Sequence, residues 1–538
     1  MADFTRLVAR PHYQSVDVNS LAHEEVREIG AEWMCKQMLD RLNLADCLLS
    51  LGWSNKWVTL SLISVISRSI YGYSEHKTAA YLRDNSGLLS LFNQAYDSVS
   101  RYHLYEVSRR LYKEKEAIES YLSRRSYELF DQKDTIILYD LTNVYFEGRK
   151  EASEKAAYGR SKEKRSDAKL IVLAVVVNVN GFIKYSQFYK GNMSDSKTLK
   201  KTIEDMERQS KTEHSEKIVV LDAGIATEGN LEMLRGKKYD YVCVSRRKLA
   251  EYKTLLDGEK IVHLKDNRGN PIEIKRLATP IIELDKSEQE EQDEQIQAEK
   301  KKKKDYFIYV WSEQKQIKEQ SMEDKLLDRY AQGLETIRKG TQKKGGTKRV
   351  EKVWERIGRL KQKFSRVNTY FTITVKQQDG VVNQMSWAQK KSKVSKDKGV
   401  YFLRTTLDDT KEENLWTIYN TLKEIEYTFR VLKTDLNLRP VFHQSDENME
   451  AHLFLGILAY QVVCAIRFEL KKHNITYDWS NIVRIMSTHK IITSFLKGAD
   501  KNFFITKTCR PNPNALDIYR KLNFSSMPVK TKKYVVPH

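Results

Sequence analysis

At 538 residues the chain is too long for one compact domain and points to about three or four. Its 40% apolar and 10% aromatic content excludes a disordered chain, and a net charge of +21 favours a polyanionic partner. Nucleic acid comes before membrane, because the most apolar stretch, LFLGILAYQVVCAIRF (453–468), falls short of the roughly 20 residues that span a bilayer and contains Gln461 and Arg467.

That stretch reads as a buried helix. The first residues, MADFTRLVAR, lack the apolar core of a signal peptide, so a cytoplasmic protein is expected. Five scattered cysteines without a C-x-x-C pair argue against disulfides and structural zinc, and the histidines are equally diffuse.

In chain order, residues 1 to about 130 read as helical, with apolar residues at helical spacing in WMCKQMLDRLNLADCLLSLGW and WVTLSLISVISRSIYG. In SVSRYHLYEVSRRLYKEKEAIESYL, Asp97 or Ser98 is expected to cap a helix carrying Arg101, His103, Arg109 and Arg110. Both a DNA-reading helix and a solvated basic face fit that pattern. From about 134 the period changes: DTIILYDLTNVYFEG and AKLIVLAVVVNVNGFIKYSQFY are rich in β-branched and aromatic residues, with Asn180-Gly181 as a tight hairpin turn. A helix (SDSKTLKKTIEDMERQ), the strand KIVVLDAG, another helix and the strand YDYVCVSRR follow. Strands in hairpins, then alternating helix and strand, predict a mixed sheet with helices packed on it.

Residues 247 to 398 interrupt the pattern and read as an insertion domain, with an acidic run (288–295), a lysine run (300–304) and a long charged helical segment near 321–365. The charge runs read as solvated loop. YFLRTTL (401–407) resumes a strand, and a long helix runs from about 411 to 436.

Two acids stand at the ends of apolar strands, Asp140 in IILYDLTNVYF and Asp222 in IVVLDAGIA. A buried Asp there is costly unless it is paired, hydrogen-bonded or on a metal. A third acid follows from angle. At roughly 100° per residue, Leu415, Ile418, Leu422, Ile425, Phe429, Leu432 and Leu436 form an apolar stripe, with Tyr419, Glu426, Arg430 and Lys433 along one flank. Glu424 points to the far side. An ordinary Glu to Arg pair on a surface helix would also satisfy this spacing. Two Asp and one Glu, brought together, can hold two Mg2+ ions that bridge a scissile phosphate, with Tyr419, Arg430, Lys433 and Arg439 gripping phosphates nearby.

The spacing Y-x2-L-x3-E-x6-K, at Tyr419, Leu422, Glu426 and Lys433, resembles the Y-R-E-K signature of insertion-sequence transposases of the DDE class. FRVLKTDLNLRPVFH, AHLFLGILAYQ, YDLTNVYFEG, YGRSKEKRSDAKLIVLAVVVNVNG, GNMSDSKTL and LDAGIATEGNL are similar to further segments of one branch of that superfamily, so the likeness runs from about 134 to 465. The resemblance implies an α/β fold: a ribonuclease H-like mixed-sheet catalytic core in two parts (131–246 and 399–475) around the insertion domain (247–398). The flanking regions, 1–130 and 476–538, are expected to be helical, the first of them DNA-binding.

Carried over residue by residue, the resemblance makes Asp140, Asp222 and Glu426 the catalytic, metal-binding triad for two Mg2+ ions, or Mn2+ in their place. Tyr419 and Lys433 contact DNA near the cleavage point, and Thr142 lies close to the substrate. Leu422 stands where the signature has Arg, and Arg430 is the candidate to replace it. The implied activity is cut-and-paste transposition: binding of the element's terminal inverted repeats, strand cleavage and joining to target DNA, by a homodimer on paired ends. The alternatives are a DNA-binding regulator that has lost catalysis and a nuclease of the same fold without strand transfer.

Overall fold

A computed structural model describes residues 15–132, 135–161, 165–210, 217–247, 249, 252–266, 268–277, 304–390 and 397–537. The initial segment, the acidic run and most of the lysine run lie outside the described residues. The chain forms two compact units, one of Met1–Tyr241 with Ile418–His538 and the other of Val242–Thr417. The segment 247–398 falls within the second unit, as do residues 399–417, which the sequence groups with the core.

In the first unit, strand β1 (Val16–Glu28) leads into helices α1 (Gly30–Leu42), α2 (Leu44–Ser50), α3 (Asn55–Ile70), α4 (Glu75–Asp84), α5 (Leu88–Leu91), α6 (Arg101–Lys113) and α7 (Lys115–Phe130). Ser100, not Asp97 or Ser98, caps α6: its hydroxyl accepts from His103 N–H while His103 Nδ1 accepts from Ser100 N–H. Strands β2 (Ile136–Tyr145), β3 (Leu170–Asn178), β4 (Ile183–Lys190) and β5 (Ile218–Leu221) then build a mixed sheet in the order β4-β3-β2-β5. Among these four strands β2 and β5 pair in parallel, and β2–β3 and β3–β4 are antiparallel. β3 is buried along its whole length, which explains a run of apolar and β-branched residues without alternation. Gly181 at φ +86° makes the turn from β3 to β4, a conformation that suits glycine. Helices α8 (Leu199–Ser210) and α9 (Glu228–Gly236) flank β5, and the chain leaves this unit within β6 (Asp240–Val244).

The second unit continues with α10 (Tyr252–Leu256), β7 (Val262–Lys265), β8 (Pro271–Arg276), β9 (Tyr306–Ser312), α11 (Glu313–Gln342), α12 (Val350–Lys363), β10 (Phe371–Gln378), β11 (Val381–Gln389) and β12 (Val400–Thr405). β12 lies between β9 and the last residues of β6, and β9 pairs β8, which pairs β7, all antiparallel. Helices α11 and α12 share a separate core with the β10–β11 hairpin through Tyr330, Leu334, Val353, Ile357, Phe371 and Met385.

The chain returns along α13 (Glu412–Asn420) into α14 (Leu422–Arg430) and a π-helical turn, Val431–Asp435. The helix expected over 411–436 is therefore three pieces, offset at Thr421 and widened after Arg430. Its apolar stripe is nonetheless inside: Leu415, Ile425, Phe429, Leu432 and Leu436 are buried.

Helix α15 (Asp446–Lys472) is long and apolar enough to cross a membrane by composition, yet it is the central helix of this unit, buried from Met449 to Ile466 and packed on α6, α3 and α1. Its apolar residues surround the helix on all sides, as a core helix requires. It also fixes α14. The Tyr460 hydroxyl donates to Gly181 O (2.9 Å) and lies 2.8 Å from the Thr428 hydroxyl of α14, while Gln461 Nε2 donates to Ile183 O at 2.7 Å. One buried phenol thus ties the α14 helix to the β3–β4 turn.

The C-terminal region departs from the helical expectation, as does β1 ahead of the N-terminal helices. After α16 (Trp479–Met486) come strands β13 (Lys490–Gly498) and β14 (Lys501–Thr508), helix α17 (Pro513–Lys521) and strand β15 (Lys532–Pro537). β1 joins them in the order β1-β13-β14-β15. The physical cause is visible in KIITSFLKG and KNFFITKT, whose β-branched and aromatic residues stack across strands: Phe504 lies 4.8 Å from Tyr534, ring planes 3° apart.

Candidate active site

Strand register sets two of the three acids side by side. With Tyr139 opposite Leu221 in the parallel β2–β5 pair, Asp140 and Asp222 follow as the next two positions, on backbones about 4.8 Å apart. Parity gives their direction. Leu138 and Val144 of β2 and Val220 of β5 share a core with Ile425 and Phe429 of α14, and the two aspartates have the parity of those residues. Both belong to the sheet face on which α14 packs, where β5 ends. Asp140 Oδ1 accepts from Leu141 N–H and Asp222 Oδ1 from Ala223 N–H, each at 2.7 Å.

Glu426 stands on the exposed side of α14. The Tyr419 phenol connects it to Asp222: burial, then the negative charges of Asp222 and Glu426, push its pKa up to about 12. A single half-buried hydroxyl feels both carboxylates and keeps its proton. Glu424, the competing acid, faces α15 instead, 3.6 Å from Lys471 Nζ.

The remaining sequence candidates divide. Lys433 sits half-buried in the π-helical turn that follows α14, and Arg439 lies 5.8 Å from the Tyr145 ring at the far end of β2. Arg430 turns to Asp478, with Nη2 3.7 Å from Oδ1, and to the Tyr427 ring at 4.6 Å. Thr142 is 2% exposed, on the same sheet face as Asp140 two residues earlier. On α6, Arg109 and Arg110 both pair with Glu106, at 2.8 and 2.9 Å, and Arg110 lies against Trp57; Arg101 is exposed at the N-terminal end.

Sequence reasoning passed over two features. Asp195, in the segment GNMSDSKTL, brings Oδ2 within 3.8 Å of the point where a Cβ on Gly224 would sit, and Asp222 Oδ2 is equally close to it. A fourth carboxylate therefore flanks the site, across a space that glycine leaves open. The signal was an Asp in a segment of family likeness, but no strand end or helical angle marked it.

The second is a convergence of histidines. Glu75, His443 and His452 offer ligand atoms within 4.8 Å of one another. Arg68, buried beside them, places Nη2 3.2 Å from His452 Nε2 and donates to Asn437 O at 3.1 Å. Since a guanidinium only donates, His452 Nε2 must accept, and the ring proton resides on Nδ1, the atom that faces Glu75 at 3.6 Å. That protonated nitrogen cannot ligate a metal, so the group is a buried Arg–His–Glu–His chain holding the segment after the π-helical turn to α3 and α4.

The transposase DDE domain family matches residues 131–462, more than half of the chain. The chain belongs to this family. It is a DDE-class transposase, and the family implies metal-dependent phosphoryl transfer on DNA. No curated protein sequence matches it. A cryo-EM structure of the piggyBac transposase synaptic complex with hairpin DNA aligns over 86% of this chain and 82% of that chain, with 8% identity and a TM-score of 0.35, too slight a likeness to argue from. The divalent ions that the family implies fit the donor set: carboxylate oxygens are hard ligands, and the space beside Gly224 lies between two of them.

Proposed function

We propose that the chain is the transposase of an insertion sequence, acting by cut and paste on a ribonuclease H-like core. It binds the terminal inverted repeats of its element, hydrolyses a strand at each end and joins the freed 3′-hydroxyls to target DNA. The observation that carries this reading is the register that sets Asp140 beside Asp222, with Glu426 and Asp222 acting on one phenol.

In the mechanism, Asp140, Asp222 and Glu426 would hold two Mg2+ ions, which would supply Lewis-acid activation of a water or 3′-hydroxyl and stabilisation of the leaving oxygen. Tyr419 retains its proton at neutral pH and donates a hydrogen bond to a phosphate oxygen. Lys433 and Arg439 neutralise the backbone on either side of the scissile bond. Arg101, exposed at the start of α6, makes a further backbone contact. The protein works in the cytoplasm as a homodimer on two paired ends, with 131–246 and 399–475 supplying the core and 247–398 the insertion.

The test is strand transfer from pre-cleaved element ends into a plasmid, with and without Mg2+. Joined product that requires Mg2+ supports the reading. Cleavage of intact ends with no joining from pre-cleaved ones would identify a nuclease instead. Glu426→Gln should abolish both reactions and leave end binding nearly intact; cutting at the wild-type rate by this variant removes Glu426 from the site.

A further inference from the structure

Helix α12 in the second unit carries a charge pattern that its packing does not explain. Between Lys343 and Arg366 there are ten exposed Lys and Arg against two acids, Glu351 and Glu355. Within the helix, Lys352, Arg356, Arg359 and Lys363 recur at intervals of four, three and four, which at roughly 100° per residue places them in one row about 60° wide and about 16 Å long. The side about 110° round the helix, Val353 and Ile357, is buried in the core shared with α11 and the β10–β11 hairpin. The helix is seated by its own unit and turns the row to solvent.

A solvated helix gains from alternating signs at i, i+4, and like charges at that spacing are destabilising. Here four cations follow one another along the row. Among the described residues only Arg359 has an acidic partner, Glu355, and Arg356 lies over the C-terminal turn of α11, with Nη1 3.7 Å from where a Cβ on Gly340 would sit. Cations about 5–6 Å apart in a row suit a regular line of anions. A row about 16 Å long covers the axial rise of about five phosphates on one strand of duplex DNA.

We propose that this row is a phosphate-backbone contact for duplex DNA, made without regard to sequence and carried by the second unit rather than by the unit that bears the carboxylates. The proposal rests on reading the chain as an enzyme that acts on DNA. It supplies what a strand-joining enzyme needs for target DNA, a grip that is indifferent to bases.

The test uses the full chain and a duplex of arbitrary sequence, with affinity measured across about 50 to 200 mM salt. In Lys352→Gln/Arg359→Gln/Lys363→Gln, the slope of log K against log salt should fall by about 2 to 3, with binding near 0.1 M salt weaker by about a hundredfold. The pair Lys352→Gln/Lys363→Gln should give about two-thirds of that change in slope. Both variants should melt with the wild type, and the charge-keeping set Lys352→Arg/Arg359→Lys/Lys363→Arg should bind like it. An unchanged slope in a folded variant overturns the proposal, as does a loss confined to element-end sequence. Wild type that binds duplex with the predicted variant effect but never cleaves would uphold the row while the transposition reading fails. Wild type that cleaves, with variants indistinguishable from it, would do the reverse.

Discussion

Tyr419 shows how far a residue-level reading reaches. Its spacing from Glu426 is legible in the chain, but its nearness to Asp222, nearly two hundred positions earlier, is not; only the folded arrangement brings that charge to the phenol. Arg430 illustrates the converse. Helical angle puts it on the flank of Glu426, yet Asp478, brought in by α16, draws it aside. An exposed pair of this kind contributes about 0 to 1 kcal/mol. Arg430→Ala should therefore leave both melting temperature and strand cleavage close to wild type, while Lys433→Ala should slow cleavage by about tenfold to hundredfold. If the Arg430 variant is the slower of the two in a cleavage time course, Arg430 does replace the signature arginine absent at Leu422.

At the scale of elements, periodicity gave the strands around both aspartates and the apolar side of the α13–α14 segment, because burial imposes those patterns directly. It could not give the π-helical turn, since the angular argument presumes one residue spacing throughout, nor the pairing of β1 with β13, whose partners are hundreds of residues apart. The Tyr460 hydroxyl that secures α14 was equally hidden: in sequence it is one more aromatic in an apolar helix. Tyr460→Phe leaves the buried Gly181 carbonyl without its donor and should cost about 1 to 2 kcal/mol of stability. Chemical denaturation measures that cost, and a midpoint equal to wild type would mean that α14 is held by apolar packing alone.

For the whole molecule, a centre shared by Asp140, Asp222 and Glu426 is what family likeness leads one to expect, and one parallel strand pair sets the two aspartates side by side. Buried ionisable groups add a property that composition does not reveal. Burial lowers His452 and His489 to about 4, and lowers His443 as well, so the unfolded chain binds more protons as pH falls from 6.5 towards 4 and stability declines over that window. Burial works against ionisation of Glu75, but the His452 hydrogen bond and the nearby positive charge bring it down to about 2, adding a further loss between 4.5 and 2. Glu32 has the opposite sign: burial raises it to about 8, so the stability of its neutral form is lost as pH rises from 4.5 to 8. Melting temperature should peak near about pH 6.5, and Glu32→Gln should flatten the alkaline side of the curve. A variant curve that overlays the wild type above that peak would show Glu32 ionised in the fold.

The most direct measurement is calorimetric titration of Mn2+ into the wild type and into Asp140→Asn, Asp222→Asn and Glu426→Gln, each checked for an unchanged melting temperature. If one divalent centre is shared by these side chains, every single substitution weakens Mn2+ binding. A folded Glu426→Gln protein that takes up Mn2+ with wild-type affinity and stoichiometry would contradict that account.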